Sequence, residues 1–407
     1  MHKRRIILAA VVVIALVAGA LPGRDRVDER ATLAAAVPGV QFSEKQASPP
    51  CYRAATGEAA FNSFDIVPAV RGYAGPLKTL VVLGPDGRIR SLRLLEHRET
   101  KNYVHYLESP AYLGRYLGKS IADPFIVDRD IDGISRATVS VEALARTVRE
   151  SSRIIAADVY GMHVAAEAAP PRGWWSAALY AALVTAAAGG YVLTRRGPGR
   201  QRYRDGVLAA SIAVTGLLLS APFSVLHVYN LLLLRPSSSI LWAVVMASTL
   251  LSVAVAGRAY CGWLCPFGAL LELLARLPVR KWSLPAGQDR RGRELKYLLL
   301  GTSAALVLAT GRVEHGNFET YVTLFSRHGT ALAWGLVVLS LAAGLRVPRF
   351  WCRYLCPVAA LTALFSRSDP AYVSRPDCPM GNPPAPETAE CIRCNRCYRE
   401  GAEKQDL

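Results

Sequence analysis

The sequence predicts an exported α+β domain, an α-helical membrane part of about six transmembrane helices, and a short cysteine-rich, ferredoxin-like tail. Three observations predict it. Long apolar stretches alternate with basic loops, a strand–turn–strand pattern follows the first stretch, and eight of the nine cysteines fall in spaced motifs late in the chain. At 407 residues, 52% of them hydrophobic, the chain has room for two or three domains. The expected divisions are a membrane anchor or signal over 1–24, an extracytoplasmic domain over 40–168, a membrane domain over 174–367 and a cytoplasmic tail over 368–407.

A helix needs roughly 20 residues to cross the hydrocarbon core. Stretches 174–194, 206–234 and 236–257 meet that length, 329–345 is slightly short, and 6–22 and 297–311 are marginal. Lys3, Arg4 and Arg5 place the N-terminus inside. The first stretch reads as an uncleaved anchor, although Ala18-Gly19-Ala20 also has the form of a signal cleavage site. The later loops alternate. Arg195, Arg196, Arg200, Arg202 and Arg204 lie inside, 227–238 lies outside, 258–296 with its eight basic residues lies inside, 312–329 lies outside, and the chain after Arg346 lies inside. That alternation requires 297–311 to span, with lipid as the surrounding medium.

The net charge of +17 does not signal nucleic acid. Residues 25–172 hold 19 Lys and Arg against 18 Asp and Glu, so the excess sits in the loops where the positive-inside bias puts it.

A near-repeat offset by 91 residues matches Cys261-Gly-Trp-Leu-Cys265-Pro266 to Cys352-Arg-Tyr-Leu-Cys356-Pro357, and continues through Ala269/Ala360, Leu270/Leu361, Leu273/Leu364 and Arg276/Arg367. Each copy follows a span running from outside to inside. Thiols at i and i+4 share a helix face, so two such motifs at one depth would place four thiolates around one site. Soft sulfur ligands suit iron–sulfur clusters or zinc, the bland alternative being small hydrophobes in a helix interface. A disulfide is disfavoured by the inferred reducing compartment. The tail adds Cys391-x-x-Cys394-x-x-Cys397 with Cys378-Pro379 upstream, the donor set of one [4Fe–4S] cluster or of a closed zinc site. Cys51 is the exported cysteine without a partner and receives no role.

In the exported segment, 80–83 and 89–95 flank Pro85-Asp86-Gly87, a turn between two strands. Helical spacing of Val141, Leu144, Ala145, Val148 and Ile155 predicts a helix over 141–164. The preceding Asp132-Gly-Ile-Ser135-Arg136-Ala-Thr138-Val-Ser140 is a hydroxyl-rich entry to a helix N-terminus, either a phosphate site or an ordinary cap. Trp174 and Trp175 mark the outer interface. His227, His315 and His328 near the outer face are read as plain hydrogen-bonding groups in preference to ligands of quinol or haem, and His97 and His105 are unassigned.

Taken together, Gly72 to Pro76, Asp86 to Ile89, Glu99-Thr100, Tyr116 to Ser120, the 132–140 loop, the two Cys-x-x-x-Cys-Pro motifs and the six spans resemble the NosR/NirI family of polytopic membrane proteins, over nearly the whole chain after residue 40. The resemblance implies an exported FMN-binding domain in which Asp132, Ser135, Thr138, Glu99 and Thr100 contact the flavin. It further implies that the Ser140 oxygen is esterified to the FMN phosphate by a flavin transferase, since Ser140 matches the last hydroxyl of the family motif Ser/Thr-Gly-Ala-Thr-x-Thr/Ser. Arg136 stands where that motif has glycine, exchanging backbone freedom for a guanidinium able to bind phosphate. The tail holds fewer cysteines than the family's usual ferredoxin end.

The expected function is a membrane-bound electron conduit linking the quinone pool or cytoplasmic donors to an exported, periplasmic reductase through FMN and iron–sulfur clusters. The alternative is a flavin and iron–sulfur redox sensor, or a regulatory or maturation factor for that reductase. The hydrocarbon core is about 30 Å thick, so a mobile quinone, a further cofactor or a partner subunit has to carry electrons across. A coupled transporter is disfavoured, because the spans contain no ionisable residue apart from the terminal His227.

Overall fold

The computed structural model describes residues 27–72, 75–97, 99, 105–134, 138–164, 174–195, 201–234, 237, 239–282, 284–311, 313–366, 378–381 and 389–398. The chain divides into two compact units, one formed by 22–173 with 235–242 and the other by the remaining residues.

The first unit is α+β, as expected. Helix α1 (Glu29–Ala36) precedes strands β1 (Tyr52–Arg53) and β2 (Ala59–Asn62), the short α2 (Ser63–Ile66), strands β3 (Lys78–Leu83) and β4 (Ile89–Glu96), α3 (Pro110–Leu113) and the long α4 (Thr138–Tyr160). The strands form an antiparallel meander in the order β1-β2-β3-β4. The turn between β3 and β4 closes where the sequence places it. Gly84 N–H donates to Arg88 O over 2.8 Å, and Gly87 supplies a φ of +72° that a side chain would strain.

The central strands are buried on both faces, which explains why β3 reads Leu-Val-Val-Leu instead of alternating. Ala59, Phe61, Val81 and Leu83 face one core with Val141, Leu144, Val148 and Ile155 of α4. Ala60, Leu80 and Val82 face a second core with Leu33 of α1. Cys51 belongs to the first core, and burial pushes its thiol up from the usual range.

The second unit is helical. Helix α5 (Trp174–Arg195) is followed by α6 (Gln201–Ser211), a π-helical stretch (Ile212–Leu218), α7 (Val225–Leu232), α8 (Ile240–Ala256), α9 (Ala259–Trp263), α10 (Pro266–Leu274), α11 (Ala286–Gly292), α12 (Leu295–Thr310), α13 (Thr320–Ser326), α14 (Ala331–Arg346), α15 (Phe350–Tyr354) and α16 (Pro357–Phe365). Among the described residues, α5 is long and apolar enough to cross a membrane, and α13 with α14 passes the same test only as a pair bent by 105°. Helix α8 is a shorter apolar helix, and the 6–22 stretch lies outside the described residues.

One expected span requires correction. Stretch 206–234 is not a continuous helix: it passes through the π-helical stretch, leaves helical geometry at Ser220, whose φ is +47°, and restarts at Val225. Pro222 and the Ser224 cap explain the restart, because proline cannot donate to the preceding turn and the serine side chain satisfies the new helix's first N–H groups.

Phe61 is fully buried between sheet and α4. Phe61→Ala is expected to destabilise this unit by about 3–5 kcal/mol, read as a lower urea midpoint in chemical denaturation of the full chain.

Candidate functional site

The first unit gathers three of the segments singled out in the sequence. Ser140 lies in the first turn of α4 and is buried, and its Oγ donates to Glu99 Oε2 over 2.8 Å. Glu99 is itself 4% exposed. Gly72 completes the contact from the other side. Its N–H donates to Gly75 O over 2.7 Å, and a Cβ on it would stand 2.4 Å from Glu99 Oε1, so a side chain here would displace the Glu99 carboxylate. Asp132 pairs with Arg115, and its carbonyl accepts from Tyr112 Oη over 3.0 Å. Thr100, Ser135 and Arg136 lie outside the described residues, as does the side chain of Thr138.

This arrangement fits a phosphorylated flavin on two counts. The buried hydroxyl sits at the N-terminus of a 23-residue helix, where free N–H groups and the dipole favour an anion. In the same segment as Glu99, the buried His97 Nδ1 finds no hydrogen-bond partner among the described residues, although His97 Nε2 is 2.5 Å from Glu108 Oε1. A polar atom left in that state is explained by a ligand that satisfies it.

The second unit organises the cysteines differently from the same-face expectation. Cys261 lies within α9, whereas Cys265 caps the next helix, its Sγ accepting from Gly268 N over 3.4 Å. Cys352 and Cys356 repeat this in α15 and α16, with Ala359 N donating over 3.4 Å. The prolines are the reason. Pro266 and Pro357 lack the N–H that would continue the helix but suit the first turn of a new one, so each motif breaks between its cysteines and the second sulfur lies at a helix N-terminus, where burial and the neighbouring thiols push Cys265 and Cys356 up from the usual thiol range.

The thiols nevertheless fall into two quartets. Cys356 feels the charges of Cys261, Cys265 and Cys352, whereas Cys397 feels those of Cys378, Cys391 and Cys394. Burial pushes Cys391 up to about 11 and Cys397 up to about 12, so both are protonated thiols at neutral pH until a metal centre displaces the protons. Among the described residues, no three His, Cys, Asp or Glu side chains close on a single ion. A cubane, whose irons occupy separate corners, takes a wider set of thiolates.

Buried carboxylates, which the sequence reading missed, tie these quartets together. Glu272 of α10 accepts from Arg204 Nη2 over 2.9 Å, from Arg349 Nη2 over 2.6 Å and from Arg396 Nη2 over 3.0 Å. The same arginines reach the first motif, Arg204 at Gly262 O over 2.8 Å and Arg349 at Cys261 O over 2.8 Å. Burial alone would raise the Glu272 carboxyl, but Arg349, Arg204 and Arg396 outweigh it and hold the group well below the usual carboxylate range. Glu390, next to Cys391, accepts from Arg258 Nη1 over 2.7 Å, from Tyr297 Oη over 2.8 Å and from Lys296. Asp289 joins Arg293, Arg353 and Tyr354, and Arg293 Nη2 donates to Met380 O over 2.6 Å.

The docking of the tail is close. Trp263 Nε1 donates to Arg393 O over 2.9 Å, and a Cβ on Gly262 would stand 2.0 Å from Ile392 O. One signal for this was present in the sequence. Arg258 and Arg349 are related by the same 91-residue offset as the cysteines, and both are fully buried.

Comparison with known proteins bears on both units. The model of an FMN-binding domain matches residues 72–152, and that of a 4Fe-4S binding domain matches 234–285 and 328–373. The regulatory protein NosR of Pseudomonas aeruginosa is 31% identical over 250 residues, covering 51% of this chain and 34% of its own. The protein NirI of Paracoccus denitrificans is 34% identical over 197 residues, covering 42% and 28% respectively. In both matched parts the chain is similar to the NosR/NirI family. The methylamine utilization ferredoxin-type protein MauN of Methylobacillus flagellatus is 30% identical over 202 residues, 49% of the NosR/NirI-like chain and 66% of its own length. The chain thus matches about a third of the NosR and NirI lengths, and no solved structure matches it. The cofactors of a NosR/NirI-like chain are FMN and [4Fe–4S] clusters. Gly72, Glu99 and Ser140 fall inside the flavin match, and the two Cys-x-x-x-Cys-Pro motifs inside the cluster match.

Removing the Glu272 carboxyl leaves Arg204 and Arg349 buried without their counter-charge, a loss of roughly 3–5 kcal/mol. Glu272→Ala is therefore expected to lose iron during anaerobic purification, whereas Glu58→Ala on the other unit keeps the iron content of the parent.

Proposed function

We propose that this chain is a multi-pass inner-membrane electron conduit, with its flavin unit outside and its cysteine motifs and C-terminus inside. In this reading about six helices span, including α8, α12 and the broken α6–α7 pair. The domains follow the divisions 1–24, 40–168, 174–367 and 368–407. Electrons enter from quinol or from cytoplasmic donors and leave to an exported reductase. Cys261, Cys265, Cys352 and Cys356 ligate one [4Fe–4S] cluster, and Cys378, Cys391, Cys394 and Cys397 a second. When bound, FMN exchanges electrons singly or in pairs, which joins two-electron quinol chemistry to one-electron clusters.

The observation that carries this reading is that one chain holds a buried acid–hydroxyl pair at a flavin-type helix start and two thiol quartets pinned by buried ion pairs. Ser140 is the proposed attachment point of the FMN phosphate, placed there by a flavin transferase. Glu99 holds its hydroxyl, and Asp132, Ser135, Thr138 and Thr100 complete the flavin contacts. The relative in Pseudomonas aeruginosa carries the name of a regulatory protein, which supports a second reading as a redox sensor or a maturation factor for the reductase. Sustained turnover separates the two, because a conduit passes many electrons per flavin and a sensor few.

Anaerobically purified protein is expected to contain about one flavin and about eight iron atoms per chain. A flavin fluorescence band should remain on a denaturing gel and disappear in Ser140→Ala with iron unchanged. A band that persists in Ser140→Ala rules out this attachment point, and a preparation without iron rules out the conduit.

A further inference from the structure

The break between the π-helical stretch and α7 is the least explained feature of the second unit. Irregular backbone inside a membrane is tolerated where it is buried in protein or lines a cavity, and broken helices with π-helical segments recur at binding sites. Here the break carries chemistry. The Glu319 carboxylate sits at the N-terminus of α7, accepting from Val225 N over 3.0 Å and from the Ser224 hydroxyl. Ser224 N in turn donates to His227 Nδ1 over 3.4 Å. Glu319 and His227 are both buried, at 2% and 6% exposure. The sequence reading placed Glu319 in an outer loop and His227 at a span terminus, so their junction through one serine was not expected.

Two further observations bear on a ligand. Thr215 Oγ1, Asn230 Oδ1 and Thr320 Oγ1, on the elements flanking the break, are buried without a hydrogen-bond partner among the described residues. Such atoms in a native fold call for a partner supplied from elsewhere. The break is also wired to the first cysteine motif. Phe223 N donates to Tyr260 Oη over 2.7 Å, and Tyr260 directly precedes Cys261. Tyr321 Oη donates to Phe223 O over 3.1 Å, and its ring lies 6.3 Å from that of Phe267 in α10.

We propose that the break at 219–224 is a quinol-oxidation site in which Glu319 and His227 are the proton acceptors. The proposal rests on the quinol reading above and assigns it a place and residues. Oxidation of one quinol breaks two O–H bonds and yields a quinone, two electrons and two protons. Each electron reduces one of the two oxidised clusters by one. The first proton goes to the Glu319 carboxylate. The second goes to His227 Nδ1, whose long bond from Ser224 N–H opens to receive it and leaves an imidazolium. The unpartnered Thr215, Asn230 and Thr320 oxygens are the hydrogen-bonding groups for the ring's hydroxyls.

The test uses the full-length, cluster-loaded protein in detergent under anaerobic conditions, with duroquinol as reductant. Glu319→Gln and His227→Asn keep hydrogen-bonding atoms near those they replace but do not take up a proton at neutral pH. The expected result is an iron content and a dithionite-reduced spectrum like those of the parent, with duroquinol-driven reduction slowed roughly 100-fold. In parallel, the infrared difference spectrum of the parent on duroquinol reduction should gain a protonated-carboxyl band that Glu319→Gln lacks. If the parent itself is reduced by dithionite but not by duroquinol, the quinol reading fails as a whole. If the parent is reduced and iron-replete variants keep pace, or the carboxyl band survives Glu319→Gln, this site fails while the reading stands. Loss of iron from both variants would assign the pair a structural role and overturn the proposal as well.

Discussion

The second unit depends on burying charge without leaving it unpaired. Glu272, Glu390 and Asp289 each sit among arginines or a lysine drawn from segments far apart in sequence. A buried ion pair adds little net stability compared with apolar packing, but breaking one is costly because the remaining charge is stranded. This asymmetry makes the pairs locks. The tail residues Glu390 and Arg396 cannot leave without exposing Arg258, Lys296 or Glu272 to an uncompensated interior. The cysteines beside them are thereby held against the repeat. Soft sulfur donors gain their affinity only if they arrive together, and a tail of loops has few other means of ordering itself.

Proline acts as the second constraint. In both repeats it divides the cysteine pair between the end of one short helix and the cap of the next. The first sulfur is then set by helix packing and the second by capping geometry, with one backbone N–H already directed at it. Preorganisation of this kind lowers the rearrangement needed when a cluster binds or changes charge. The flavin unit uses the same device, with Ser140 in the first turn of α4 and its hydroxyl oriented by Glu99.

How much of this was legible varied with the range of the interaction. Strands β3 and β4, the Gly87 turn and helix α4 were readable because they follow from local periodicity and turn chemistry. The first cysteine quartet was readable because each copy of the repeat carries one pair, and the tail quartet because its cysteines are closely spaced. The same repeat contained Arg258 and Arg349, but an arginine in a basic loop looks like positive-inside bias, and only burial reveals it as a lock. Glu319 escaped for a related reason. A lone acid in a polar loop carries no pattern, and its seat at the start of α7 is about 94 residues distant in sequence.

The sequence by itself determined the resemblance to NosR and NirI and the two cofactor classes, because these depend on residue types at short, fixed spacings. Tertiary structure alone decided which cysteine shares a helix with which, where the long 206–234 stretch gives way, and which charges face one another. Those outcomes depend on proline, capping and desolvation acting between distant segments, where the free energy of burying a charge is set by partners that no local window contains.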